Sequence, residues 1–373
     1  MDITKSFKEF SSIDNPGNKH ISQLQKYGHM LPSNEWVAME KIHGANFSFI
    51  TLSRNEQVIS KASISDITNG VDIICAKRSG KIGENENFYN SSFIRDKYKS
   101  DIVEVHNRIK LDNPDTTSVQ IYGELFGGYY PGFPQKQKPI QKGVYYNHEI
   151  DFLVFDIRMN TCLKIPTYEP KSDGKSNECY YAYYLAQDEV DLYLKDLPLL
   201  RGIPVKARGH FETIITMSPV FMSGIPDLYG LPPIDKNMAE GWVFKTNKRH
   251  PCHWSRPIIK SKNSTFGEIA RIPRITTNFH TTNKFVDQAI PYCTQNRFNN
   301  TVSKIGLDSR IEKIRGIYVA DVLKDFGKDL ESDDDREEFN KTIKSVKEGI
   351  NGYLLNEQCI DKWMAELLEP AGP

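Results

Sequence analysis

The spacing of apolar and polar positions divides the chain into two textures. Between about residues 35 and 265, short runs rich in β-branched and aromatic residues recur between polar loops. They predict strands at Trp36–Lys41, Asn46–Thr51, Asp72–Lys77, Ser118–Phe126, Asp151–Ile157, Gly241–Thr246 and Pro257–Lys262. Helical spacing predicts helices near Ser92–Lys110 and Tyr180–Lys195. Beyond about residue 280, stretches such as "GIYVADVLKDFGKDL" and "NGYLLNEQCIDKWMAELL" repeat apolar residues at helical intervals between Gly, Asn and Asp breaks. The expected fold is α+β: a domain over residues 1–270 built on antiparallel sheets, then an all-helical domain over residues 271–373.

Two polar features fit that frame. The Pro- and Gly-punctuated loop Gly127–His148 is too long for a plain hairpin and is expected over a cleft or its rim. The acidic run Glu331–Asp335 reads as a solvated loop feeding a helix N-terminus.

With 373 residues, 39% of them hydrophobic, the chain can fill two cores. Its formal net charge is zero, so a nucleic-acid partner has to be met by a local patch. Lys245, Lys248, Arg249, Arg256, Lys260, Lys262, Arg271 and Arg274 stand against the single acidic Glu268 between residues 245 and 275, a stripe that suits a phosphate backbone, with a solvated face as the alternative. The six cysteines form no CxxC pair, which suggests a reduced, intracellular setting. No basic leader and no run of about eighteen apolar residues is present, so neither secretion nor a membrane span is expected. His250, Cys252 and His253 cluster in "RHPCHW", but no partner pair at zinc-ligand spacing follows.

The chemistry centres on "WVAMEKIHGANFSFI", where Lys41-Ile42-His43-Gly44 interrupts a strand-like alternation. A lysine acts as a nucleophile only when desolvation or neighbouring positive charge favours the free amine. A glycine beside it would permit a tight turn and the close approach of a phosphate. Alone, the four residues are also what a surface hairpin would carry. Downstream, however, come "CAKRSG", "IYGELFGG", "DFLVFDI", "AEGWVFK" and "PIIKSKN", strands that end in or alternate with charged residues.

These segments, in this order, resemble the motifs of the covalent nucleotidyltransferases, which comprise RNA ligases, DNA ligases and capping enzymes. His43, where an acidic residue is usual, makes the chain most similar to the ATP-dependent RNA ligases typified by the phage T4 nick-sealing enzyme and the trypanosome RNA-editing ligases. The loop "GELFGGYYPGF...QKGVYY" is most like the editing ligases and "NRFNNTVSKIG" like the phage enzyme's C-terminal domain, and the resemblance runs from "FKEFSSIDN" onward.

The resemblance implies an adenylyltransferase, ATP-grasp-like domain followed by a helical RNA-binding domain, with ATP and Mg2+ or Mn2+ as cofactors. It implies that Lys41 attacks the α-phosphorus of ATP, that Glu40 and Ile42 lend backbone groups to the adenine, and that His43, Asn46 and Arg78 approach phosphate or ribose. It further implies Glu124 on the ribose hydroxyls, Phe155 stacked on adenine with Val243 closing the other face, and Glu240 on the metal. Lys245 is expected near the same pocket, and Lys260 and Lys262 on the α-phosphate. Arg297 and Asp321 fall where the phage-type domain carries residues needed for sealing, or form a helix-pinning ion pair. The implied partner is RNA, a nicked duplex above all, with a monomer as the working unit and RNA repair as the setting. A DNA ligase, a GTP-using capping enzyme and a non-catalytic RNA-binding scaffold are the rival readings.

Overall fold

A computed structural model describes residues 7–11, 13, 18–53, 66–68, 70–83, 85–135, 137–164, 178–254, 256–267, 283–307 and 309–369. The chain divides into two compact units, Met1–Asn263 and Ser264–Pro373.

In the first unit, helix α1 (Asn18–Lys26) precedes β1 (Trp36–Glu40), β2 (Ala45–Ser53), β3 (Asp66–Thr68), β4 (Val71–Lys77) and β5 (Gly80–Lys81). Helix α2 (Ser91–Asp112) leads to β6 (Thr116–Gly127), β7 (Ile150–Lys164) and β8 (Glu178–Tyr184), then α3 (Gln187–Leu194), β9 (Val205–Gly209) and α4 (Phe211–Ile214). Strands β10 (Gly241–Thr246), β11 (His250–Pro251) and β12 (Ile258–Lys262) complete it.

The strands form two sheets, ordered β12-β10-β1-β9 and β11-β8-β7-β6-β2-β4-β3, with β5 added beside β4. Every pairing between these strands is antiparallel. Alternation sends successive side chains to opposite faces, and one face of each sheet carries a large apolar cluster. In the larger sheet Ala45, Phe47 and Phe49 of β2, Val119 and Ile121 of β6, and Phe152 and Val154 of β7 pack against Ile94, Ile102 and Val105 of α2. In the smaller one Trp36 and Ala38 of β1, Trp242 and Phe244 of β10 and Ile259 of β12 pack with Phe211.

The helix expected over Tyr180–Lys195 is instead a strand followed by a helix. The run "ECYYAYY" is β8, paired along β7 from Arg158↔Tyr184 to Lys164↔Glu178. A string of aromatics fits a pleated ladder better than a helix, where bulky rings lose rotamer freedom against the preceding turn. Helix α3 starts only after Ala186, whose N–H donates to the Glu189 carboxylate at 3.0 Å. The helix near Ser92–Lys110 and the other expected strands form within a few residues of the expected limits, except that the strand expected over Asp151–Ile157 runs on to Lys164, paired with β8.

The second unit is helical among the described residues: α5 (Lys284–Ala289), α6 (Gln295–Ile305), α7 (Ile311–Asp329), α8 (Asp333–Asn356) and α9 (Cys359–Leu368) surround Phe298, Tyr318, Val322, Val346 and Ile350. The acidic run does feed a helix: Ser332 caps α8 by accepting from the Asp335 N–H, and Asp333, Asp334 and Asp335 occupy its first turn. No helix among the described residues is long and apolar enough to cross a membrane.

Candidate active site

The smaller sheet sorts its side chains by register. Val37 pairs with Lys245 and Met39 with Val243 on β10, while Val243 pairs with Lys260 and Gly241 with Lys262 on β12. Directly paired residues share a face, so Val243, Lys245, Lys260 and Lys262 lie opposite the Trp36–Phe244 core. Lys41 follows β1 and is tied to β10 by its N–H donating to the Gly241 carbonyl at 2.8 Å. Glu40, one residue earlier, turns to the other side, where its carboxylate accepts from the Ser223 hydroxyl at 2.6 Å and the Gly224 N–H at 3.0 Å. Burial pushes the Glu40 carboxyl above its usual range, against the pull of these two bonds. Ile42 is buried beside Lys41.

Glu240 gathers the cationic groups. Its Oε2 lies 2.8 Å from Lys41 Nζ and 3.4 Å from His43 Nδ1, and its Oε1 lies 3.0 Å from Lys262 Nζ. The carboxylate is 2% exposed, yet Lys41, Lys262 and His43 overcome the burial that opposes its charge and hold it well below the usual carboxylate range. Its backbone is fixed too, the Glu240 carbonyl accepting from the Asn263 N–H at 2.8 Å.

The larger sheet contributes a second wall. Asn46 of β2 stands directly across from Glu124 of β6. Desolvation pushes the Glu124 carboxyl up to about 8; Lys41 opposes this, Glu240 adds to it, and Arg78 and the Gly44 N–H oppose it. Lys41, Glu240 and Arg78 are thus the charges that act on Glu124. Arg78 additionally lies 3.5 Å from Glu9. Lys77, on the α2 side of β4, is paired with Glu86 and lies over the Phe88 ring.

Phe155 owes its position to a β-bulge. Tyr122 pairs with Asp156 and Gly123 with Val154, leaving Phe155 as the extra residue on β7. The bulge sets its ring among Phe10, Tyr122 and Val243. It meets Phe10 edge-on at 4.8 Å and lies nearly parallel to Tyr122 at 6.5 Å. Phe155 and Val243 are both only partly buried, so each keeps some accessible surface. Lys245 sits behind this point: it is 1% exposed, donates to the Phe155 carbonyl at 2.9 Å and lies 3.5 Å from Asp156. Burial lowers the Lys245 ammonium to about 8 despite Asp156. Lys245 therefore supports the bulge from within.

The expected basic stripe is largely consumed by internal partners. Arg256 and Lys245 share Asp156, Arg249 pairs with Glu189, Lys262 with Glu240, and Lys248 donates to Asn34. Glu268, Arg271 and Arg274 lie outside the described residues. Sequence alone counted charges along the chain and could not see acids supplied from residues 156, 189 and 240.

Three contributors were not among the expected site residues. Tyr146, from the long loop, is 1% exposed and its hydroxyl accepts from the His43 N–H at 2.9 Å. Ser223 binds Glu40, and Phe10 packs on Phe155. A loop tyrosine, a loop serine and an N-terminal phenylalanine carry no spacing that marks them.

In the second unit Arg297 is 1% exposed. It donates to the Tyr292 carbonyl at 3.1 Å and lies 2.9 Å from Asp321 and 2.8 Å from Asp325. This geometry favours the helix-pinning ion pair, joining α6 to α7, over direct contact with RNA.

A buried amine-facing carboxylate, flanking cations and a partly open aromatic wall suit phosphoryl chemistry on a nucleotide. The profile of the family described as RNA ligase matches residues 34–262, from just before β1 to the end of β12. The chain belongs to the RNA ligase family. Residues 279–359 of this RNA ligase also match the profile described as T4 RNA ligase 2 C-terminal. It is 24% identical to the mitochondrial RNA-editing ligase 2 of Trypanosoma brucei brucei over 381 aligned residues, covering 87% of this chain and 84% of that protein. Identity to RNA-editing ligase 1 of Trypanosoma brucei brucei is 26%, over 70% of this chain but only 56% of that protein. A solved structure of Naegleria gruberi RNA ligase with PPi aligns at a TM-score of 0.37 with 15% identity, covering 70% of this chain and 57% of that one.

Proposed function

We propose that this RNA ligase uses ATP to join RNA 3′-hydroxyl and 5′-phosphate ends, nicks in duplex RNA above all. Lys41 is the nucleophile: its amine attacks the α-phosphorus, the bond to pyrophosphate breaks, and AMP remains on the lysine through a P–N bond. The 5′-phosphate of RNA then displaces Lys41 and takes the AMP. Finally the 3′-hydroxyl attacks that activated phosphate, forming the phosphodiester and releasing AMP.

The observation that carries this reading is Lys41 held 2.8 Å from Glu240 with Lys262 and His43 on the same carboxylate. In this reading Phe155 and Val243 sandwich the adenine, Glu124 and Asn46 bind the ribose, and Arg78, Lys260 and Lys262 bind phosphate oxygens. A divalent ion suits the donor set, because magnesium is commonly held by one or two carboxylates plus phosphates, and Glu240 offers hard oxygens beside the reacting amine. Magnesium or manganese there would neutralise charge on the departing pyrophosphate. The residues after 270 form the RNA-gripping part, which would hold an A-form helix by its backbone and 2′-hydroxyls. The working unit is a monomer in a reduced compartment of the cell.

Incubation with radiolabelled ATP or GTP and magnesium, followed by denaturing electrophoresis, tests the first step. A covalent label from ATP alone, lost in Lys41→Ala, is expected. Labelling from GTP would favour a capping enzyme, and no label at all would favour a binding scaffold. Sealing is then compared on nicked duplex RNA, single strands and nicked DNA; equal rates on all three would overturn the duplex-RNA preference.

A further inference from the structure

Hydrogen bonds enclose the Lys41–Gly44 turn from two sides. On one, the Glu40 carboxylate accepts from the Ser223 hydroxyl and the Gly224 N–H. The Ser223 N–H in turn donates to the Asn237 carbonyl at 2.9 Å. The Asn237 side chain then grips the backbone of Tyr145, accepting its N–H at 2.9 Å and donating to its carbonyl at 2.7 Å. The next residue, Tyr146, closes the circuit by accepting the His43 N–H at 2.9 Å. The circuit thus runs from the residue before the lysine, through residues 223 and 237, to the residue two after it. Asn237 and Tyr146 are 5% and 1% exposed, so water does not compete for these bonds.

We propose that Tyr146 is a positioning residue for lysine adenylylation, its hydroxyl fixing the turn that aims Lys41 at the nucleotide. This rests on the proposed role of Lys41 as nucleophile. The turn has no helix or ladder of its own: residues 41–43 lie between β1 and β2. A buried N–H in such a segment has to be satisfied from outside, and the Tyr146 hydroxyl does so at His43. Burial, together with the nearby Glu40, Glu240 and Glu124 carboxylates, pushes the Tyr146 phenol well above its usual range and keeps it protonated. Losing the hydroxyl leaves the ring in place but frees the turn, and in-line attack tolerates little misplacement of the amine. The long loop is therefore a brace as well as a cover.

Tyr146→Phe removes this one oxygen. Lysyl-AMP formation at saturating ATP is expected to slow roughly 10- to 100-fold, the kinetic equivalent of one unsatisfied buried donor. The ATP KM should stay within about threefold, and sealing of RNA already carrying a 5′-adenylate, which needs no attack by Lys41, should change by less than about fivefold. Asn237→Ser, which loosens the loop while keeping the hydroxyl, should show the same split to a lesser degree and decides the matter if Tyr146→Phe does not fold. Wild-type adenylylation by either folded variant, or an equal loss in both reactions, would overturn the positioning role. If the wild type itself forms no lysyl-AMP, the nucleophile assignment fails instead.

Discussion

Gly44 and Leu125 meet backbone to backbone: a Cβ on Gly44 would stand 2.1 Å from the Leu125 carbonyl oxygen and 2.9 Å from Glu124 Cγ. The glycine after Lys41-Ile42-His43 is therefore required where β2 begins its pairing with β6, independently of any phosphate. The same pairing brings the Gly44 N–H to the Glu124 carboxylate, so this close approach also helps place a candidate site residue.

Gly44→Ala should lower folding stability by about 2 kcal/mol or more, since the clash is with backbone that has little room to yield. Thermal melts without nucleotide check this. Wild-type melting combined with a loss confined to ATP binding would mean that the glycine serves the phosphate instead.

Glu240→Gln keeps the volume and removes the charge that Lys41, His43 and Lys262 share. Adenylylation should fall at least about 100-fold, and the protein should lose on the order of 2 kcal/mol as the ammonium groups face one another without a counter-ion. Single-turnover labelling and chemical denaturation measure the two effects separately. Full retention of labelling would exclude Glu240 from the chemistry.

Glu124 predicts a pH dependence of stability. Its carboxyl rises from an ordinary 4.5 to about 8 on folding, chiefly by desolvation. The native state then binds more protons than the unfolded chain across that interval, so this group makes stability fall as pH rises from about 4.5 to about 8. Glu240, held low, acts with the opposite sign and only below about 4.5. Wild type minus Glu124→Gln should therefore show a melting-temperature difference that grows more unfavourable to the wild type between pH 5 and 8. A constant difference would contradict the raised value.

Arg297→Met tests the pin between α6 and α7. The Tyr292 carbonyl and the Asp321 and Asp325 carboxylates lose their donor, so stability should drop by about 1–3 kcal/mol. The salt dependence of RNA binding should not change. A side chain that touched RNA would instead leave melting intact and reduce the slope of log affinity against log salt by about 1.

Much of this protein is written in local sequence. The alternation in "ANFSFITLS" specifies a strand with Phe47 and Phe49 inward, and the helical intervals after residue 280 specify helices, because both depend on side-chain period alone. The candidate site residues Lys41, Glu124, Phe155, Glu240 and Lys262 were marked by another route, the resemblance of their short strand-bound segments to a family's motifs. Periodicity failed where it competes with composition, at the aromatic run that became β8.

Tertiary structure decided what those residues face. Lys245 and Lys262 look alike in sequence, yet one is drawn inward to Asp156 and the Phe155 carbonyl and the other to Glu240. The stripe of cations lost its freedom to acids more than 20 positions away or on another strand, and the loop supplied Tyr146 to the turn from a separation of 103 residues. Such pairings cost chain entropy to close and leave no local periodicity behind. They arise only when two sheets place distant backbone at hydrogen-bond range, and it is this long-range placement that gathers charged and aromatic side chains around Lys41-Ile42-His43-Gly44.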